Sequence, residues 1–405
     1  MSSDYNTLRN SQQAQPTTTS ERYTRLTENG KYYFKNAGYS CTDDRRVVNL
    51  ATPVSTIPAN LSNAQVEFKI NADSIDVLDY PVLAGHFLND SLAAASMAGL
   101  AHYINRIEIV SPSGETLWST VSQELLLSNL FLDKSTFEEV CYASDLSTVF
   151  QPNFSSVGTG QHLEVYMPIW GFFKSCKLAI FCIPYLTVRI IFNPSSRVIQ
   201  TGAEMKCSNL QLLLVGKKLK TSSKNAIIDV YRNPRISTSL SHLAVDRITE
   251  TRNLSSGQQV EILLQGARGI CSLIFVTVRK EADINTPSGA CLYHHMDKMQ
   301  ILDSAGNSLL GSYVRPPKFR YFLQGVDFGN SSASLGLDMI VFSTDPVGSF
   351  ARGEVDGYCV ITGQEKLTFI VPTDSFVNGN YVIDVRCYMY ENLNILNGNL
   401  SVSNY

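Results

Sequence analysis

The sequence is poor in charge and in tryptophan. Charged residues make up 17% of the 405 positions, the formal net charge is −3, and there are 2 tryptophans. A nearly neutral chain has no bulk electrostatic attraction to nucleic acid or to an anionic bilayer. The same neutrality suits a molecule that packs against many copies of itself, because self-repulsion is weak.

No segment has the pattern of a signal peptide or of a transmembrane helix. The N-terminus is polar and has no apolar centre. No run of about 18 uncharged apolar residues occurs, and the nearest, Leu178 to Phe192, is interrupted by Pro184 and Arg189. We therefore expect a chain that folds inside the cell and is not secreted through a signal peptide.

The cysteine pattern does not resemble a disulfide framework. Nine cysteines are widely spaced, their number is odd, and no C-x-x-C pair occurs. Several, such as Cys182 and Cys271, lie in apolar runs. This usage predicts buried, reduced thiols.

Motifs of the common enzyme classes are missing. The sequence has no H-E-x-x-H, G-x-S-x-G, P-loop or G-x-G-x-x-G. The one adjacent histidine pair, His294 and His295, lies near Cys291 and Asp297. Neighbours on a strand point to opposite faces, so at most one histidine of the pair can join Cys291 in a metal site. We therefore predict no catalytic residue, no cofactor and no metal site.

The chain does contain many short apolar runs separated by turn residues. From about residue 45 onward, runs rich in Val, Ile, Phe and Tyr recur, such as AQVEFKI, INRIEIV, LTVRIIF and CSLIFVTVR. Short strands with Gly, Pro and Asn breaks predict antiparallel sandwiches. Two helices are predicted between strands, over residues 89–102 and 122–130.

An internal repeat divides the chain into two similar halves. Residues 104–117, INRIEIVSPSGETL, align without a gap to residues 296–309, MDKMQILDSAGNSL, at an offset of 192. Strand–turn–strand units can also look alike without duplication, which is the alternative interpretation. A duplicated unit of about 180 residues fits an eight-stranded jelly roll with long loops. Two further pairs align in the same order, 60–70 with 253–264 and, more weakly, 186–192 with 383–389.

These patterns divide the chain into four parts. The polar residues 1–40 form an N-terminal arm, 41–217 a first jelly roll, 218–235 a linker and 236–405 a second jelly roll. The linker begins with the basic sequence KKLK. We interpret it as a solvated connection, and a phosphate-binding patch is the alternative.

Three segments resemble the family of double jelly-roll major capsid proteins, found in tailless double-stranded DNA viruses and including adenovirus-like hexons and virophage capsid proteins. Residues 385–405 resemble its C-terminal strand and Tyr/Asn ending. Residues 342–371 resemble its strand, D/N-P turn and Gly loop, and 162–192 its aromatic/Gly loop and I-P-Y-L strand. The loop at 345–357 lacks the E-x-x-x-P-S-G run common in the large DNA virus relatives, which leaves the virus group open.

The resemblance implies an all-β fold of two consecutive eight-stranded antiparallel jelly rolls, with short helices in the loops. It implies a major capsid protein without enzyme activity, whose homotrimers have a pseudo-hexameric outline and build an icosahedral virion shell. The implied partners are further copies of the chain, minor capsid and penton proteins, and an internal membrane facing the arm, with no sequence-specific nucleic acid. The alternatives are a minor capsid, spike or carbohydrate-binding protein of tandem β-sandwiches and, from another class, a hydrolase on the same scaffold.

Seven aromatic residues are candidates for contacts between subunits. Large aromatic side chains anchor many protein interfaces. Each of them could instead fill the core of its own subunit, and the sequence leaves this alternative open. The candidates are Trp170, Phe172, Phe173, Tyr313, Phe319, Tyr321 and Phe322.

Overall fold

The structure is a computed structural model. It describes residues 45–404 except for 90–94, 98, 133, 145–154, 158–161, 200–204, 232–237, 288–291, 312–315, 329–336, 353–354, 375 and 397–398. The arm predicted over residues 1–40 lies outside the described residues. No described helix combines the length and the apolar character that a membrane span requires.

The described chain is built mainly from short antiparallel strands. In the first half they are β1 (Arg45–Leu50), β2 (Thr52–Pro53), β3 (Gln65–Ile70), β4 (Val77–Asn89), β5 (Ala95–Met97), β6 (Ile104–Val110), β7 (Thr116–Val121), β8 (Ser155–Val157), β9 (His162–Pro168), β10 (Leu178–Ala179), β11 (Leu186–Phe192), β12 (Met205–Cys207) and β13 (Gln211–Lys218). In the second half they are β14 (Thr238–Leu254), β15 (Gln259–Leu263), β16 (Gly269–Lys280), β17 (Asp297–Leu302), β18 (Asp338–Val341), β19 (Cys359–Ile361), β20 (Lys366–Ile370), β21 (Gly379–Leu396) and β22 (Asn399–Asn404).

Each half forms a sandwich of two sheets. In the first half, one sheet has the order β1-β13-β4-β10, with β9 and β12 also paired to β4, and the other has the order β2-β3-β11-β6-β7. In the second half, one sheet has the order β14-β21-β16-β18, with β19 on β16 and β22 on β21, and the other has the order β15-β20-β17. The fold is thus all-β, with two consecutive antiparallel jelly rolls as predicted. Strands β5 and β8 form a separate two-stranded ladder.

Strand order shows which segments of the two halves are equivalent. Strand β11 lies between β3 and β6, and β20 lies between β15 and β17. The aligned pairs 60–70 with 253–264 and 104–117 with 296–309 therefore occupy matching places. The third alignment is wrong, because 186–192 is β11, whose counterpart is β20, whereas 383–389 belongs to β21. Both segments alternate apolar and polar residues, and that pattern does not identify the sheet to which a strand belongs.

The turns after β6 and β17 repeat in atomic detail. Ser111 N donates to Glu115 O at 2.8 Å, and Asp303 N donates to Asn307 O at 2.9 Å. The glycines at the matching turn positions, Gly114 and Gly306, have φ of 89° and 87°. This left-handed backbone conformation strongly favours glycine, which explains why both turns have it at the same place.

Helices lie between the strands. They are α1 (Leu100–Tyr103), α2 (Ser122–Ser128), α3 (Lys134–Ala143), α4 (Gly171–Ser175), α5 (Thr221–Tyr231), α6 (Pro317–Phe328) and α7 (Pro346–Arg352), and the 3-10 turns are Asn129–Phe131, Ile180–Cys182, Ser195–Arg197 and Glu281–Asp283. The helix predicted over 122–130 is confirmed as α2 and the 3-10 turn that follows it.

Of the described residues of the helix predicted over 89–102, only those from Leu100 onward are helical, so the prediction is wrong for the described residues before it. Strand β4 continues to Asn89, strand β5 occupies Ala95–Met97, and helix α1 begins only at Leu100. Pairing of β5 with β8 overrides the helix propensity of the alanines, which is a weak local preference. The segment expected to be a linker contains helix α5, which packs Ile227 into the core.

The two jelly rolls share part of their core. One apolar cluster contains the inward side chains of the first jelly roll and also Leu240, Phe275 and Tyr388 of the second. A separate cluster, including Val260, Ile301 and other residues, lies inside the second jelly roll. A shared apolar cluster means that separating the two jelly rolls would expose buried surface, so we expect them to behave as one unit.

Candidate functional site

Three of the candidate contact aromatics lie in the interior of the subunit. Trp170, Phe172 and Phe173 are 5%, 0% and 0% exposed. The Trp170 ring lies 4.5 Å from the ring of Tyr80, and the Phe172 ring lies 6.3 Å from that of Trp118. These side chains fill the core, which was the alternative left open by the sequence, and they offer no surface to a second copy.

The candidates on helix α6 are placed differently. Phe319 and Phe322 are 38% and 62% exposed, and their ring centroids lie 6.2 Å apart. Val326, one turn further along, is 65% exposed. Tyr321 is half-buried beside the ring of His295, and Tyr313 lies outside the described residues. The three exposed side chains therefore form an apolar face on α6, which we call the α6 face.

The inward side of α6 is polar. Arg320 and Gln324 are each 1% exposed. The Arg320 guanidinium forms an ion pair with Asp338 of β18 at 2.7 Å and donates to the carbonyl oxygen of Met296. Gln324 Nε2 donates to the carbonyl oxygen of Leu337 at 3.2 Å.

This arrangement reverses the usual amphipathic pattern, in which a surface helix turns its apolar side to the core. Arg320 is buried with a specific partner, so the orientation of the helix is fixed by the ion pair and hydrogen bonds on its inner side. Exposed apolar side chains grouped on one face mark sites of protein–protein contact. We therefore regard the α6 face as the candidate contact surface.

An edge strand offers a second exposed surface. Strand β1 pairs with β13 on one side, and no described strand pairs with its other side. Val48 and Leu50 on this strand are 57% and 52% exposed. An open strand edge with apolar side chains is a template for pairing with another chain.

The histidine pair does not converge on a metal site. The ring of His294 lies 5.2 Å from the ring of Tyr381, whereas the ring of His295 lies 6.4 Å from that of Tyr321. Cys291 lies outside the described residues. Among the described residues, no group of three or more His, Cys, Asp or Glu side chains is arranged to hold a metal ion.

Most of the described cysteines are buried thiols. Of the seven in the described part of the chain, six are buried and Cys359 is half-buried, and none of the seven forms a disulfide bond. Burial raises the pKa of the Cys141 and Cys176 thiols to about 12. These thiols stay protonated at neutral pH and are therefore poor nucleophiles.

The junction between the jelly rolls has an aromatic centre. Phe131, at the end of the 3-10 turn after α2, is 2% exposed. Its ring stacks on that of Phe350 at 4.2 Å and meets the rings of Phe328 and Tyr388 at 5.2 and 6.3 Å. A side chain of the first jelly roll is thus enclosed by three rings of the second, and this contact fixes one half against the other.

Ion pairs surround this aromatic centre. Glu124 of α2 is buried, and the Nε and Nη2 atoms of Arg247 on β14 donate to its two oxygens at 2.6 Å each. Arg386 on β21 places its Nε atom 3.4 Å from Glu124 Oε1. The carboxylate of the first jelly roll is therefore held by two guanidinium groups of the second.

A second buried carboxylate lies beside Glu124. Asp384 Oδ2 is 3.0 Å from Nη2 of Arg279 and 3.2 Å from Nη2 of Arg386, and Thr249 Oγ1 donates to Oδ1 at 2.8 Å. Burial alone would raise the pKa of Asp384, but Arg386 and Arg279 outweigh it and hold the pKa below its ordinary value. The Asp384 carboxylate is thus ionised at neutral pH.

The sequence-based reasoning missed this network, although the sequence contains a signal for it. Arg279 and Arg386 end or interrupt apolar strands, in SLIFVTVRK and YVIDVRCYMY. A charged residue at an inward position of such a strand requires a buried partner. The partner of Arg386 in the other half, Glu124, lies in a helix far away in sequence, and nothing local identifies it.

Comparison with known proteins finds likeness in structure but not in sequence. No protein-family model matches the chain, and no curated protein matches it. The crystal structure of PBCV-1 VP54, fitted into a reconstruction of the virophage Sputnik, superposes with a TM-score of 0.70 at 10% identity, covering 92% of this chain and 100% of that one. The Faustovirus major capsid protein gives 0.63 at 9% identity, covering 88% and 92%. The mavirus major capsid protein gives 0.55 at 11% identity, covering 92% and 93%.

These similarities extend over both jelly rolls of the chain. At identities of 9–11% they concern the fold. They confirm the double jelly-roll fold that the sequence resemblance implied.

Proposed function

We propose that this chain is the major capsid protein of an icosahedral virus, a structural subunit of the virion that catalyses no reaction. The observation that carries the proposal is the end-to-end likeness to viral capsid subunits: the match covers 93% of the mavirus major capsid protein and 92% of the Faustovirus one. Both jelly rolls take part in the match, so the likeness involves the whole architecture and not one common sandwich.

The subunit assembles as a homotrimer with a pseudo-hexameric outline. Two jelly rolls with matching strand order give each subunit two similar sides, and three copies place six jelly rolls around a threefold axis. The exposed α6 face supplies apolar surface for contacts between copies. The low net charge of −3 keeps repulsion between neighbouring copies small.

The remaining partners follow from the same role. Trimers meet other trimers in the shell, and minor capsid and penton proteins complete it where the lattice changes. We assign residues 1–40 to an arm that faces inward towards an internal membrane, 41–217 and 236–405 to the two jelly rolls, and 218–235 to the connection between them.

Mass measurement and microscopy test the proposal together. Light scattering of the purified chain is expected to give a trimer of about 134 kDa, three times the 44.8 kDa of one copy. Negative-stain images are expected to show particles with a hexagonal outline. A monomer or dimer that binds glycans on an array would contradict the proposal and favour the carbohydrate-binding alternative.

A further inference from the structure

The apolar side chains of the α6 face are held in solvent by the fold. Phe319, Phe322 and Val326 lie at positions i, i+3 and i+7 of the helix and therefore share one side, which is about 10 Å long at about 1.5 Å per residue. All three are exposed, and the buried ion pair of Arg320 with Asp338 on the opposite side fixes this orientation. Apolar side chains that a fold keeps exposed in a group indicate a surface for another molecule.

Strand β1 carries a second apolar surface, on the first jelly roll. Val47 packs against the shared core, so Val48 and Leu50, which alternate with it along the strand, point to the opposite face. Both are more than half exposed. No other described strand or helix of the first jelly roll has two large hydrophobic side chains exposed in this way. The remaining exposed ones in its described part are Val54 after β2, Tyr142 on α3 and Tyr166 on β9.

Charge at the ends of the two surfaces favours one relative orientation. Arg46 is exposed on the same face of β1 as the two apolar residues, and its Nη2 atom donates to Tyr80 Oη at 3.3 Å. We call Arg46, Val48 and Leu50 the β1 strip, which is about 13 Å long and so matches the α6 face in length. Lys318 is exposed at the N-terminal end of the α6 face, whereas the carbonyl groups at the C-terminal end of a helix are partly negative. An antiparallel arrangement therefore places Arg46 beside the C-terminal end of α6 and away from Lys318.

We propose that the α6 face of one copy docks on the β1 strip of a second copy, with the helix antiparallel to the strand. The contact joins the second jelly roll of one subunit to the first jelly roll of the next, and each copy has one surface of each kind. Such a head-to-tail contact closes when three copies form a ring, and both surfaces of every copy are then covered. The inference rests on the proposed function, because it names the elements through which the proposed trimer is held together.

Chemical cross-linking of the purified full-length chain tests the contact. Val326→Cys and Val48→Cys place one thiol on each surface, and each substitution keeps a small apolar side chain, so the contact is retained. A short bismaleimide is the reagent, because packed layers of secondary structure lie about 10 Å apart, which is beyond the reach of a disulfide. The chain with both substitutions is expected to give covalent trimers in denaturing electrophoresis, whereas the parent chain treated in the same way is not.

Two controls distinguish a contact between copies from a contact within one copy. Chains with only Val326→Cys, co-expressed with chains that have only Val48→Cys, are expected to give covalent dimers and no trimers, because a mixed ring has a single junction with a thiol on both sides. The pair of Val326→Cys with Tyr142→Cys is expected to give no covalent oligomer above the level of the parent chain. Tyr142 is exposed on the first jelly roll but lies on α3, outside the β1 strip.

Light scattering separates failure of this contact from failure of the proposed function. The contact is wrong if the native chain is a trimer but the doubly substituted chain gives only monomers, or gives covalent dimers that do not extend to trimers, as a twofold arrangement would. Val48→Asp supplies a second measurement: it is expected to convert trimers to monomers, and a Val48→Asp chain that remains trimeric would remove β1 from the interface. A native chain that is monomeric contradicts the proposed function itself, and the contact with it.

Discussion

Truncation of Phe131 tests whether the two jelly rolls unfold as one unit. Its ring is 2% exposed and contacts three rings of the other jelly roll, the nearest at 4.2 Å. Removal of a buried phenylalanine side chain costs about 3–5 kcal/mol of unfolding free energy. We expect Phe131→Ala to fall in this range, because the cavity lies between two rigid sandwiches that cannot close around it.

The positions of the two tryptophans make the test selective. Trp118 and Trp170 both lie in the core of the first jelly roll, so their fluorescence reports unfolding of that half, whereas far-ultraviolet circular dichroism reports both halves. In urea, the two signals of the parent chain are expected to change together. In Phe131→Ala they are expected to separate, because the shared core that couples the halves is lost.

Phe87→Ala is the control for this prediction. Phe87 is 1% exposed and packs against Tyr103 within the first jelly roll, with ring centroids 6.3 Å apart. Its truncation is expected to lower stability by a similar amount while the two signals still change together. The reasoning would be refuted if fluorescence and circular dichroism still changed together in Phe131→Ala and its unfolding free energy fell by less than about 1 kcal/mol. It would also be refuted if the two signals separated in Phe87→Ala.

Three further variants test other features of the molecule. Phe322→Asp on the α6 face is expected to convert the proposed trimers to monomers in light scattering without unfolding them, whereas Tyr142→Asp, at a side chain of helix α3 that is 86% exposed, is not. A trimeric Phe322→Asp would remove the α6 face from the interface. Burial, and to a lesser degree the charge of Asp246, raises the pKa of Glu391 to about 7. In the unfolded chain the same carboxyl loses its proton near pH 4.5, so between these two values the native state binds a proton that the unfolded state does not. The free energy of unfolding therefore decreases as pH rises from about 4.5 towards 7. The stability of Glu391→Gln relative to the parent chain is therefore expected to increase between about pH 5 and pH 7 in urea titrations, and a difference that does not change with pH would contradict the assignment. Gly171→Ala would place a Cβ atom against the indole ring of Trp118 at a residue with φ of 30°, and it is expected to lower the unfolding temperature and alter tryptophan fluorescence. An unchanged unfolding temperature would contradict the close packing of Gly171 on Trp118.

The sequence predicted the fold well where local patterns determine it. The alternation in LTVRIIF predicts β11, and matched glycines at 114 and 306 predict the repeated turns, because turn geometry and strand period depend on nearby residues. The helix predicted over 89–102 failed because pairing between β5 and β8 depends on distant residues. The misaligned pair 186–192 and 383–389 failed because alternation predicts a strand without indicating its sheet.

The candidate site was predicted only in part, for a different reason. The exposed phenylalanines of α6 and the buried ones at 172 and 173 are the same residue type in similar apolar surroundings. Their burial is decided by tertiary packing, and on α6 it is decided by the ion pair of Arg320 with Asp338. Nothing in the local sequence indicates that the Arg320 side chain is buried and that its apolar neighbours on α6 are exposed.

The enclosed position of Phe131 has a consequence for any closed shell built from this subunit. A hinge between the halves would have to open a stacked aromatic centre and pull Glu124 away from two arginines. Bending within a subunit therefore has a high free-energy cost, so the curvature of a shell has to arise at the contacts between separate subunits. Shells of different radius would then be made from one invariant block, with the angle between neighbours as the only adjustable quantity.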